Sequence, residues 1–122
     1  MAKLSSFEDI IAWQKARELN KVIYSITNNN TNFFKDYGLR DQLRRASVSI
    51  ASNLAEGTSR QTNKDKAHYT TMAFSSLMEV LNQIIIAYEL DLLKEEDYNE
   101  IRKEIEKISN KLNALKKAQL NS

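Results

Sequence analysis

The chain has 122 residues, 42% of them hydrophobic and 28% charged, with a formal net charge of +2, which is the size and mix of one ordinary globular domain. Two glycines, no proline and no cysteine exclude a disulfide framework, a thiolate metal site and a cysteine nucleophile, and they leave too few turn residues for an all-β sandwich or barrel. The same counts favour long, uninterrupted helices. With no apolar leader near Met1 and no run of about 18 apolar residues, the expectation is a cytoplasmic protein without a membrane span.

The first helix is predicted over residues 7–27. Ser5 and Glu8 have the spacing of a capping box, and Ala12, Ala16, Leu19, Ile23 and Ile26 recur on one helical face. Asparagines at 28, 29, 30 and 32 end it, because Asn favours turns over helix interiors. Phe33 and Phe34 follow, and both are expected to plug the end of a core, since exposing two phenyl rings is costly.

The second helix is predicted over 38–56, with Asp36 as N-cap and Gly57 as the residue just past the C-cap. Leu39, Leu43, Ala46, Ile50 and Leu54 form its apolar stripe. Residues 46–55 carry no charge, whereas a helix with one wet face normally shows one about every turn. Gln42, Ser49, Ser52, Asn53 and Glu56 share an arc beside that stripe, together with Arg45. The expectation is a buried polar seam, within the bundle or between subunits, with Glu79 of the next helix as a further member.

The third helix is predicted over 63–90, with Thr62 and Asp65 at N-cap and N3 spacing. Leu77, Leu81, Ile84 and Tyr88 form one stripe, and Phe74, Met78 and Ile85 a second. Two apolar faces on so long a helix exceed what a single bundle buries, so a homo-oligomer is expected. The fourth helix, over 95–120, carries Tyr98, Ile101, Ile105, Ile108, Leu112 and Leu115 at alternating steps of three and four. Its opening acids and closing lysines suit the helix dipole. Short connections then make an all-α, antiparallel up-down-up-down four-helix bundle in one domain, residues 1–122.

The chemistry such a chain supports is narrow. His68 is the sole histidine, so a di-iron bundle site, which needs Glu-x-x-His from two helices, is not available. No glycine-rich phosphate cradle occurs, and the serines around Ser49 read as packing residues rather than nucleophiles. No cofactor and no catalytic activity are expected. Residues 37–71 hold six basic residues against three acidic ones, and residues 107–122 hold four lysines and no acid. Arg40, Arg44, Arg45, Arg60, Lys64 and Lys66 in the first of these zones are the candidate contacts for nucleic-acid phosphates. The lysines of the second zone read as complement to the helix dipole.

The assembled motifs carry a resemblance. Phe7, Glu8, Asp9 and Ile10 with Trp13, Gln14, Lys15 and Ala16 form an opening signature. The segments 37–46 and 49–57 form a central one, and Ser76, Leu77 and Glu79 a third. Together they resemble the bacterial 23S rRNA intervening-sequence protein family over nearly the whole chain. The resemblance implies a four-helix bundle assembling into a ring-like homopentamer, with no established enzymatic activity. A related branch, the accessory variability determinant of diversity-generating retroelements, binds reverse transcriptase and nucleic acid. The implied partners are therefore further copies of the chain, RNA or DNA, and a reverse transcriptase or other protein. Asp91 and Lys94 depart from the Gly and Ser usual at the third connection. The resulting reading is a nucleic-acid or ribonucleoprotein accessory, with a protein-interaction scaffold as the alternative.

Overall fold

The computed structural model describes Phe7 and residues 10–121, which form five helices in chain order: α1 (Ile11–Asn29), α2 (Thr31–Lys35), α3 (Tyr37–Gly57), α4 (Asn63–Glu89) and α5 (Glu95–Leu120). No strand occurs among the described residues. Four of the helices are those expected from periodicity, and α2 is an addition. Each long helix runs antiparallel to its neighbours. Thr27 and Ser49 meet Arg44 and Ser76 respectively, and Thr70 near the start of α4 donates to Gln119 at the end of α5 at 2.8 Å. At the other end the rings of Tyr88 and Tyr98 stack at 4.4 Å. The packing closes into a ring, α1 against α3, α3 against α4, α4 against α5 and α5 against α1.

The predicted stripes supply the core. Ala12, Ala16, Leu19 and Ile23 of α1 meet Leu43, Ala46, Ile50 and Leu54 of α3, Leu77 and Ile84 of α4, and Ile101, Ile105, Ile108 and Leu112 of α5. Each such Leu or Ile contributes about 1.5–3 kcal/mol of burial. Among the described residues α4 is the one helix long and apolar enough to cross a bilayer, and here its stripe is the centre of the core.

Local differences from expectation have local causes. Helix α1 starts at Ile11 rather than near residue 7 because Ile10 is extended, and its N–H turns back to the Phe7 carbonyl at 3.0 Å. The capping pair Ser5 and Glu8 lies outside the described residues. Asn30 does more than stop a helix. Its Oδ1 accepts from the Phe33 N–H at 3.1 Å, starting α2, while its Nδ2 donates to the Leu92 carbonyl at 2.8 Å, tying that corner to the α4–α5 connection. Phe33 is buried and Phe34 exposed. Adjacent helical residues point about 100° apart, so only one of them reaches the core.

Asp36 caps α3 as expected, accepting from the Leu39 N–H at 3.2 Å, and Thr62 caps α4 through the Asp65 N–H at 3.1 Å. Gly57 is not the left-handed residue past α3. It is the last helical residue, and no glycine has positive φ. Its purpose is space, because a Cβ there would sit 2.9 Å from Tyr69 Cβ. The left-handed position falls at Asp91 instead, with φ of 59°. The Leu92 N–H reaches the Ala87 carbonyl at 2.9 Å and the Asp91 N–H reaches Tyr88 at 3.1 Å, which is a Schellman ending with Asp where Gly is favoured. Lys94 then opens α5 with no side-chain cap.

Candidate nucleic-acid interface

Helix α3 has 21 residues and so spans about 30 Å. That length divides the basic zone. Arg40, Arg44 and Arg45 lie at the end of the bundle formed by α2 and the α4–α5 connection. Arg60, Lys64 and Lys66 lie at the opposite end, with the last turns of α5. The six residues are therefore two groups rather than one patch.

At the first end the arginines are held. The Arg40 side chain is only 15% exposed, donates to Asp41 Oδ1 at 2.8 Å and to the Phe34 carbonyl at 3.1 Å, and lies between the Phe34 and Tyr37 rings. Arg44 donates to Thr27 Oγ1 at 2.9 Å and Asn28 Oδ1 at 2.7 Å and lies 4.5 Å from the Tyr24 ring centroid. Arg45 is exposed. The hydrogen bond from Arg40, with the charges of Arg40, Arg44 and Arg45, holds the Asp41 carboxyl below its ordinary range.

At the second end Arg60 bonds Glu56 Oε1 at 3.1 Å and the Tyr69 hydroxyl, with its guanidinium 4.5 Å from the Tyr69 ring centroid. Its Nε is enclosed against that ring and meets no acceptor among the described residues. Lys64 is exposed on the first turn of α4. Lys66 borders a cleft of about 290 Å³ together with Asn53, Thr58, Thr70 and Gln119. Lys116 borders a second cleft that shares Thr70. The antiparallel packing of α4 and α5 thus brings Lys116 to the end that holds Lys66, their clefts meeting at Thr70. The C-terminal lysines are visible in the sequence, but this placement is not. The cation cluster at this end therefore draws on both basic zones of the sequence.

The polar arc of α3 divides as well. Ser49 shares a 2.9 Å hydrogen bond with Ser76, and Asn53 donates to the Ser49 carbonyl at 2.9 Å, so these two are half-buried within the chain. Gln42, Ser52, Glu56 and Glu79 are exposed in the single chain. A seam buried inside the bundle is corrected for those four: their arc turns past the α3–α4 contact toward solvent. Beside them Val48, Met72 and Ile86 are exposed. Gln83, 9% exposed, has an Oε1 without a hydrogen-bond partner among the described residues. Neither Arg45 nor Glu79 forms an ion pair with another described residue.

His68 lies on the surface, edge-on to Tyr69. No cluster of three potential metal ligands occurs among the described residues. A groove of about 680 Å³ lies between α4 and α5, floored by Met78, Leu81 and Ile105 and rimmed by Arg102, Lys103 and Glu106.

These features define an all-helical bundle protein with a cationic end. The chain belongs to the 23S rRNA-intervening sequence protein family, whose model matches residues 8–114. It is similar in fold to a crystallised protein of unknown function from the S23 ribosomal protein family of Bacteroides thetaiotaomicron VPI-5482. That likeness has a TM-score of 0.81 at 20% identity and covers 88% of this chain and 99% of that one. No curated protein matches the chain. Neither the family nor that neighbour is designated catalytic.

Proposed function

We propose that this protein is a non-enzymatic, homo-oligomeric bundle that serves as a nucleic-acid or ribonucleoprotein accessory in the cytoplasm. The observation that carries this reading is the placement at one end of Arg60, Lys64 and Lys66 with Lys116 of α5. Such a cluster attracts polyanions, and an oligomer, in the simplest case a ring-like pentamer, repeats it in register. Phosphate contacts position without reading sequence, so the binding is sequence-tolerant. Anisotropy titrations with labelled RNA and DNA over a range of salt test it. Affinity falling steeply with salt supports the reading, and absent binding at low salt, or binding flat with salt, rules it out.

The outer face of α3 and α4 favours association. Exposed Val48, Met72 and Ile86 sit among small polar residues, and the Gln83 Oε1 has no donor among the described residues. A face of this composition equally suits a protein partner, such as a reverse transcriptase or other neighbouring gene product. Pull-down from native extract with and without nuclease separates the readings: retention after nuclease favours the scaffold.

A further inference from the structure

We propose that the corner formed by the end of α1, α2 and the start of α3 is a stacking platform for unpaired bases of single-stranded nucleic acid. The proposal rests on the nucleic-acid reading above and narrows it, because a phosphate-binding end by itself does not distinguish single strands from duplexes.

The corner exposes three aromatic rings in a monomer that buries Phe33 beside them. Tyr37 is 61% exposed, Phe34 40% and Tyr24 39%. Two guanidinium groups lie between or against these rings. Arg40 is 4.7 Å from the Phe34 centroid and 4.9 Å from that of Tyr37, and Arg44, one turn further along α3, covers Tyr24. Rings alternating with guanidinium planes are the surface on which splayed bases stack.

Bracing between α1 and α3 accounts for the hydrogen bonds of Arg44. It does not account for Tyr37, which stands on the first turn of α3 with its ring mostly in water. The charge of the corner selects the ligand. Residues 31–46 carry Lys35, Arg40, Arg44 and Arg45 against Asp36 and Asp41, a net +2, and Arg44 donates to two neutral acceptors, Thr27 and Asn28. Of the two carboxylates in that segment, Asp36 accepts from the Leu39 N–H and Asp41 pairs with Arg40. An apolar protein surface would leave that guanidinium buried and unpaired, whereas a base with its adjoining phosphate stacks on the rings and neutralises the charge.

The test compares three labelled probes of about 16 nucleotides: a single strand, a duplex, and an abasic single strand that keeps its phosphates. Wild type is measured beside Tyr37→Ala, Phe34→Ala and Tyr37→Phe, with helicity checked by circular dichroism and particle size by light scattering. The expected result is a loss of about five-fold or more in single-strand affinity for each alanine variant. Tyr37→Phe keeps wild-type affinity, and duplex and abasic binding do not change. If wild type binds nucleic acid but the alanine variants bind the single strand equally well, the platform is overturned and the cationic-end reading stands. If wild type binds none of the probes, both fall. If Tyr37→Ala changes particle size, another copy of the chain covers the corner, and the proposal fails for that reason.

Discussion

The two ends of this bundle use the same kind of side chain differently. At the α2 end Arg40 lies between two rings and Arg44 against one, and hydrogen bonds tie them to Phe34, Thr27 and Asn28. At the opposite end Lys64 is solvated, Lys66 and Lys116 border open clefts, and Arg60 is tied to its own chain. Positive charge counted along a sequence therefore overstates what is free to meet a ligand. Bonds and stacking commit part of it to the fold, and about 20 Å of helix lies between Arg45 and the other end.

The contrast is broken most strongly through packing. Phe33 is the largest fully buried side chain and anchors the α2 corner. Phe33→Ala is expected to cost about 3–5 kcal/mol in urea unfolding. It should also release Arg40 from its ring sandwich, and polyanion binding at the other end of the folded fraction should be unchanged. Next is Gly57, where Ala places a Cβ against Tyr69 Cβ. A loss of about 1–3 kcal/mol is expected, with the Arg60–Tyr69 contact displaced. A Gly57→Ala chain as stable as wild type would show that the α3–α4 approach is looser than described.

Smaller effects sharpen the comparison. Asp91→Gly relieves a left-handed Asp and should stabilise by up to about 1 kcal/mol, read as a higher urea midpoint at unchanged slope. Asp41 gives the smallest effect. Its folded carboxyl titrates below the ordinary 3.8, held there first by the Arg40 hydrogen bond. A depressed folded value means its stabilisation is present above about pH 4 and is lost as pH falls through the lower folded value. Because the group is solvated the effect is slight. Carboxyl NMR should show the low titration, and Arg40→Gln should return it toward normal.

Most of the fold was legible in the sequence because its signals are periodic. The stripes from Ala12 to Ile23, Leu43 to Leu54 and Ile101 to Leu112 are buried as their spacing requires, and Asp36 and Thr62 cap as their spacing implies. What was not legible depends on partners distant in sequence. Asn30 reads as a helix breaker until Leu92 is opposite it. Gly57 reads as a turn residue until Tyr69 packs on it. The site was half legible. Lys64 and Lys66 stand together in the sequence, whereas the placement of Lys116 at the same end follows only from the antiparallel path of α5. Arg40 and Arg44 read as free cations because nothing local announces that Phe34, Tyr37 and Tyr24 hold them.

The central claim is that the end holding the start of α4 and the last turns of α5 meets polyanions through its own phosphate contacts. The direct measurement is the salt dependence of RNA affinity for wild type and for a Lys64→Ala, Lys66→Ala, Lys116→Ala variant. If the three lysines each neutralise a phosphate, the slope of log affinity against log salt should shrink by about 2–3 per bound chain. A variant that keeps the wild-type slope and affinity would contradict the account.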